Sequence, residues 1–188
     1  MKWLQHLHTI NRHKWLVMKY CFRVGLYKQG LLHDLSKYSW VEFSTGAKYF
    51  QGYRSPNLAE IEDKGYSASW LHHKGRNKHH SEYWTDYSFK GDQPIAAIKM
   101  PTKYVIEMFC DRIAANKIYK KETYEDGDPW DYFNRAKDKL IIHEDSKALL
   151  AELLTMLKDQ GEERTFRYIR ENVLSKEGKA PLNWDGSR

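Results

Sequence analysis

Residues 30–37 read Gly30-Leu31-Leu32-His33-Asp34-Leu35-Ser36-Lys37. The stretch follows an apolar run without proline, so helix is the economical reading. On a helix Lys37 falls three residues after Asp34 and four after His33, which sets an imidazole, a carboxylate and an ammonium on one face, with Gly30 a turn earlier leaving room beside them. Three such groups on one face are poorly suited to plain packing. They suit a metal site with a built-in anion contact.

The flanking sequence extends this helical reading in both directions. Met1 to Ile10 carries Trp3, Leu4, Leu7 and Ile10 at helical spacing, and Asn11 is placed to cap a second helix from Arg12 to Val24 that is apolar nearly all round. His13 shares a face of that helix with Leu16, Val17, Tyr20 and Val24 and so points inward. Gly25 ends it, and Leu26 to Tyr38 is expected as the helix bearing the His-Asp pair. Ser39 then caps a short helix with Glu42 three residues on, as in a capping box.

Gly52 to Gly65 reads as a loop with one helical turn near Leu58 to Ile61, long enough to cover a site, with Tyr49, Tyr53 and Tyr66 available to line it. Ser67 to Lys74 predicts a short helix ending in His72 and His73, and His79 and His80 follow the break at Gly75. Asp92, Gln93 and Pro94 are expected to open a helix that Pro101 restarts, continuing through Lys103 to Tyr119 with Asp111 inward and Glu107 one turn before it. Trp130 to Ile142 and Ser146 to Asp159 are amphipathic, Gly161 ends the latter, and Thr165 to Val173 forms a last helix. The fold class is all-α: one helical domain over residues 1–174 and a loose tail over 175–188.

Bulk composition narrows the class further. The 188 residues suffice for one sizeable core, and 7 Trp with 13 Tyr argue against disorder outside the tail. The 31 Lys and Arg against 25 Asp and Glu give a net charge of +6, compatible with an anionic substrate or nucleic acid, but the excess is spread along the chain and argues solubility as readily as recognition. Cys21 and Cys110 read as reduced core residues. Neither a signal-peptide core nor a membrane span is legible, so a cytoplasmic protein is expected.

Nine histidines occur. His13, His33, His72, His73, His79 and His80 can converge with Asp34 and Asp111 if the helices bundle, whereas His6, His8 and His143 read as surface residues. Adjacent helical residues point about 100° apart, so one member of each His pair is expected at any centre. Imidazole and carboxylate without thiolate suit Mn, Fe, Ni, Co or Zn, one ion or two, in sites of five or six ligands.

The order His13, then His33-Asp34, then the paired histidines, then Asp111 resembles the HD-domain superfamily of metal-dependent phosphohydrolases, over residues 13–115. Lys37 completes the extended form His-Asp-x-x-Lys of members that hold a phosphate or a polar substrate oxygen against the metals. The resemblance implies an HD-like helical bundle and hydrolysis of a nucleotide or other small phosphate ester by metal-activated water. It also implies a bridging role for Asp34 and charge neutralisation by Lys37, with Arg54, Lys74, Arg76 or Lys78 holding a further phosphate and Glu107 or Glu82 orienting a ligand imidazole. The Gly-Tyr-Pro motif of the cyclic-di-GMP subfamily is absent, which disfavours that substrate. Two rival readings are an HD-fold di-iron oxygenase using the same ligand set, and a non-catalytic HD-like module binding nucleic acid through its basic loops.

Overall fold

Helix α6 (Thr102–Lys120) is the centre of the molecule, because its sequence is apolar on more than one face: Val105, Ile106, Met108, Phe109, Cys110, Ile113 and Ala114 are all buried. The computed structural model describes residues 2–89 and 93–175. Against α6 packs α1 (Lys2–Arg23), which contributes Val17, Tyr20 and Cys21 to the core. From another side comes α8 (Glu144–Tyr168) with Leu150, Leu153, Leu154, Leu157 and Phe166. Each fully buried leucine is worth about 1.5–3 kcal/mol relative to exposure. Cys21 and Cys110 are free and buried, as small hydrophobes in this core.

The other helices are α2 (Tyr27–Leu32), α3 (Trp40–Tyr49), α4 (Pro56–Lys64), α5 (Ala68–Lys74) and α7 (Asp128–Ala136). They build the all-α fold expected from the periodicity. Serine caps recur at their starts, since Ser39, Ser55 and Ser67 each accept a hydrogen bond from a backbone N–H of the first turn. No helix among the described residues is long and apolar enough to cross a membrane.

Several boundaries differ from the sequence expectations. The two expected N-terminal helices are one, α1, and Asn11 is no cap: its Oδ1 accepts a hydrogen bond from Tyr38 at 2.7 Å instead. Gln93 and Pro94 open no helix. Ile95–Ala97 (β2) pairs antiparallel with Thr85–Tyr87 (β1), and Pro101 instead directly precedes α6. Asp92, expected to start that helix, lies outside the described residues. The helix expected over Trp130 to Ile142 stops at Ala136, and Leu140 and Ile142 still pack on the core from irregular backbone. Gly161 kinks α8 with φ 77° and ψ 174° rather than ending it. Of the expected tail, only Ser175 is among the described residues, and it is helical.

The most consequential difference concerns the His-Asp pair. The expected helix over Leu26 to Tyr38 breaks there: α2 stops at Leu32, His33 is extended at ψ 127°, and Asp34 adopts the left-handed conformation at φ 53° and ψ 28°, leading into a 3₁₀ turn over Leu35–Tyr38. Asp is among the few residues that tolerate this conformation. Lys14 of α1 stabilises the break by donating to the carbonyl oxygens of Leu31 and His33, both at 2.8 Å. Gly30 makes room for α1 rather than for the triad, since a Cβ there would lie 3.1 Å from the Met18 Cα and the Cys21 Cβ.

Candidate metal centre

Leaving the helix lets Asp34 turn inward, where both it and His33 are 1% exposed. Its two carboxylate oxygens face different histidines. Oδ2 lies 3.2 Å from Nε2 of His33 and 3.7 Å from Nε2 of His13, while Oδ1 lies 3.3 Å from Nε2 of His73 and 3.4 Å from Nε2 of His79. Asp111 on α6 adds a second carboxylate, its Oδ1 2.9 Å from Nε2 of His13.

Two groups with closely spaced donor atoms result, one of His13, His33, Asp34 and Asp111 and the other of Asp34, His73, His79 and His80. Asp34 belongs to both. His33, His79 and Glu107 form a third such group.

Donor-atom chemistry within these groups fits a metal. Nε2 of His13, His33, His79 and His80 and both oxygens of Asp34 are buried without a well-directed hydrogen bond. Buried polar atoms are normally satisfied, and donors left unpartnered this close together could hold a cation. The opposite ring nitrogens are held by carboxylates: Nδ1 of His33 and of His79 lie 2.9 and 3.2 Å from Oε1 of Glu107, and Nδ1 of His73 lies 2.8 Å from Oε2 of Glu42. A carboxylate on Nδ1 fixes the ring and leaves Nε2 free to ligate.

Electrostatics in the centre follow from this crowding. Burial alone would raise the Asp34 carboxyl, yet the charges of His33, Lys37 and His73 hold it well below the usual carboxylate range. Asp111 is likewise held low against burial by His13 and His33. Burial, helped by His79 and His73, pushes His80 well down, so that ring is neutral. Lys37 places Nζ 2.6 Å from Oδ2 of Asp34.

Above the centre opens a cavity of about 610 Å³, lined by His13, Asp34, Lys37, His73, His80 and Asp111 among others. Phe50 to Leu58 forms part of its wall, as expected of the covering segment, and Tyr53 lines it whereas Tyr49 and Tyr66 do not.

Three expected site residues are placed elsewhere, and a fourth is already engaged. His72 lies outside both metal groups, because its position on α5 turns Nδ1 to Oε1 of Glu42 at 2.6 Å. Lys74 does not line the cavity, and Arg76 lines a separate hollow of about 250 Å³ together with Lys78 and Glu107. Arg54 does line the cavity, yet its guanidinium is held by both carboxylate oxygens of Glu62 and by Gln51. The expectation of one ligand per His pair fails at His79 and His80, both of which join the second group. They sit in a turn after α5, where the helical 100° rule has no force.

Other residues were hidden from sequence reading. Glu42 reads as the end of a capping box, and Ser39 does cap α3, but the Glu42 carboxylate serves His72 and His73. His6 is buried at 7% exposure against Phe43 and Phe50, and lines the cavity. Its heptad spacing from His13 on one helix, two turns apart, was the available signal. His8 is exposed as expected, and His143 caps α8 by accepting from the Asp145 N–H at 3.2 Å.

No curated protein and no solved structure matches the chain. A family defined only as one of unknown function, DUF5662, matches residues 2–156, from the start of α1 into α8 and across every candidate ligand, and the chain belongs to that family.

Proposed function

We propose that the chain is a metal-dependent phosphohydrolase acting on a nucleotide or another small phosphate ester. The observation that carries this reading is the division of Asp34, whose two oxygens each face a separate set of histidines beneath one cavity. The resemblance to HD-domain enzymes points the same way. His13, His33, Asp34 and Asp111 would hold one divalent ion, and Asp34 with His73, His79 and His80 a second. The all-nitrogen-and-oxygen donor set suits Mn, Fe, Co, Ni or Zn.

The chemistry such ions would supply, when bound, is a water of lowered pKa as nucleophile and polarisation of a phosphoryl oxygen. The protein's own groups do the positioning. Glu107 and Glu42 keep the imidazoles aimed, and Lys37, on the cavity wall beside Asp34, neutralises charge on a non-bridging phosphate oxygen. Space of about 610 Å³ accommodates a mononucleotide-sized ligand.

Elemental analysis of the purified protein beside Asp34→Ala tests the reading. About two transition-metal equivalents per chain are expected, lost together in the variant, because metal retention depends on the shared ligand. Lys37→Ala is expected to keep the metal and lose turnover in a screen of nucleotides and phosphate esters. Full metal content in Asp34→Ala would overturn the site.

A further inference from the structure

Charges lining the cavity do not balance. Lys37 sits on Asp34, Arg54 on Glu62, and Lys120 on Asp128. Arg112 is different. It follows Asp111 on α6 and lines the same cavity, yet its side chain makes no ion pair or hydrogen bond among the described residues, Asp111 and Glu82 acting on it only from longer range, and its Nε is sealed from solvent without a partner. Its guanidinium is held instead by ring faces, 5.8 Å from the centre of Tyr132 and 5.7 Å from that of Phe133 on α7.

A guanidinium stays charged at every physiological pH, so a half-buried one whose Nε is sealed off without a partner favours the arrival of an anion. These ring contacts take up none of its N–H donors, and a guanidinium fork matches the oxygens of a phosphate. A single phosphoryl group at the metal centre already has Lys37 and the ligands' ions. Arg112 is then left over for something else the substrate carries. Arg135, one turn after Tyr132 on α7, lines the same cavity and also has no ion pair among the described residues. Two arginines without an ion pair, one half-buried and one exposed, thus line the cavity from α6 and α7, with Glu82 an acid on the same wall.

We propose that Arg112 binds a second phosphoryl group, so that the substrate class is a small molecule with two or more phosphates, such as a nucleoside polyphosphate. The proposal rests on the phosphohydrolase reading above for the first phosphate only. It makes Arg112 a residue that touches substrate, adjacent in sequence to the ligand Asp111 but with no share in holding metal.

Binding of inorganic phosphate and of methylenediphosphonate, which cannot be hydrolysed, to the Mn-loaded full-length protein by calorimetry tests this. Wild type is expected to prefer the diphosphonate by about tenfold or more. Arg112→Gln is expected to lose that preference while keeping phosphate affinity within about twofold and metal content unchanged. Arg112→Lys keeps the charge without the fork, and is expected to fall between the two, which decides the matter should the glutamine variant fail to fold. A diphosphonate preference unchanged in both variants, or absent from wild type, overturns the proposal while retained metal and phosphate binding leave the parent reading standing. A wild-type chain that takes up no metal sinks both.

Discussion

Glu107 holds Nδ1 of His33 at 2.9 Å, and the opposite nitrogen of the same ring faces Asp34 at 3.2 Å. One carboxylate buried in α6 therefore sets the tautomer and tilt of a ring on another segment, and it does the same for His79. Removing that support without removing bulk should loosen the metal and leave the fold. Glu107→Gln is expected to weaken metal affinity about 10- to 100-fold. Competition with a chromogenic chelator measures it, alongside circular dichroism for helix content, and an unaltered affinity would show that Glu107 does not orient the ligands.

Gly46 on α3 abuts the ring of His6: a Cβ added there would come within 2.2 Å of Nε2. Glycine to alanine inside a helix ordinarily stabilises by up to about 1 kcal/mol. Here the clash reverses the sign, since Phe43 and Phe50 confine the imidazole with ring centres 5.6 Å away. Gly46→Ala is expected to cost about 1–3 kcal/mol, seen as a fall of several degrees in Tm. The double variant with His6→Ala should recover part of it, and a Gly46→Ala protein as stable as wild type would contradict the packing.

His6 also carries a pH dependence. Burial, and then the charge of Lys37, lower its pKa from 6.5 to about 4. A folded-state pKa below the unfolded one means that the unfolded chain binds the proton first. The contribution of His6 is present above pH 6.5 and is lost as pH falls toward about 4. Thermal melts of wild type and His6→Gln across that window should show a shallower decline for the variant. Parallel curves would remove His6 as the titrating group.

Much of the centre was legible from residue order. His13, His33, Asp34, Lys37 and Asp111 were each nominated from residue type and helical facing, and the structure gathers them. The HD-domain resemblance implies Glu107 or Glu82 as the residue orienting an imidazole, and of the two it is Glu107 that contacts two rings. The backbone route differs from the helical expectation: the chain leaves the helix at the His-Asp pair, with Asp34 in the left-handed conformation. The break after Leu32 depends on Lys14 reaching across from α1, a contact between residues 17 and 19 positions apart that no local pattern encodes.

What the sequence by itself determined was the helical class and a set of candidate donors, because apolar periodicity and ligand chemistry are properties of local residue types. Tertiary structure alone decided how those donors are shared. His72 and His73 are neighbours in one helix, yet only His73 reaches Asp34, while His79 and His80 both join the second group because the chain there is a turn. Arg112 shows the same division: its type and position are plain in the sequence, but that its side chain meets the rings of Tyr132 and Phe133 and forms no ion pair depends on which side chains the packing of α6 and α7 leaves within reach. Partners across that distance are set by packing, and packing is a property of the whole chain.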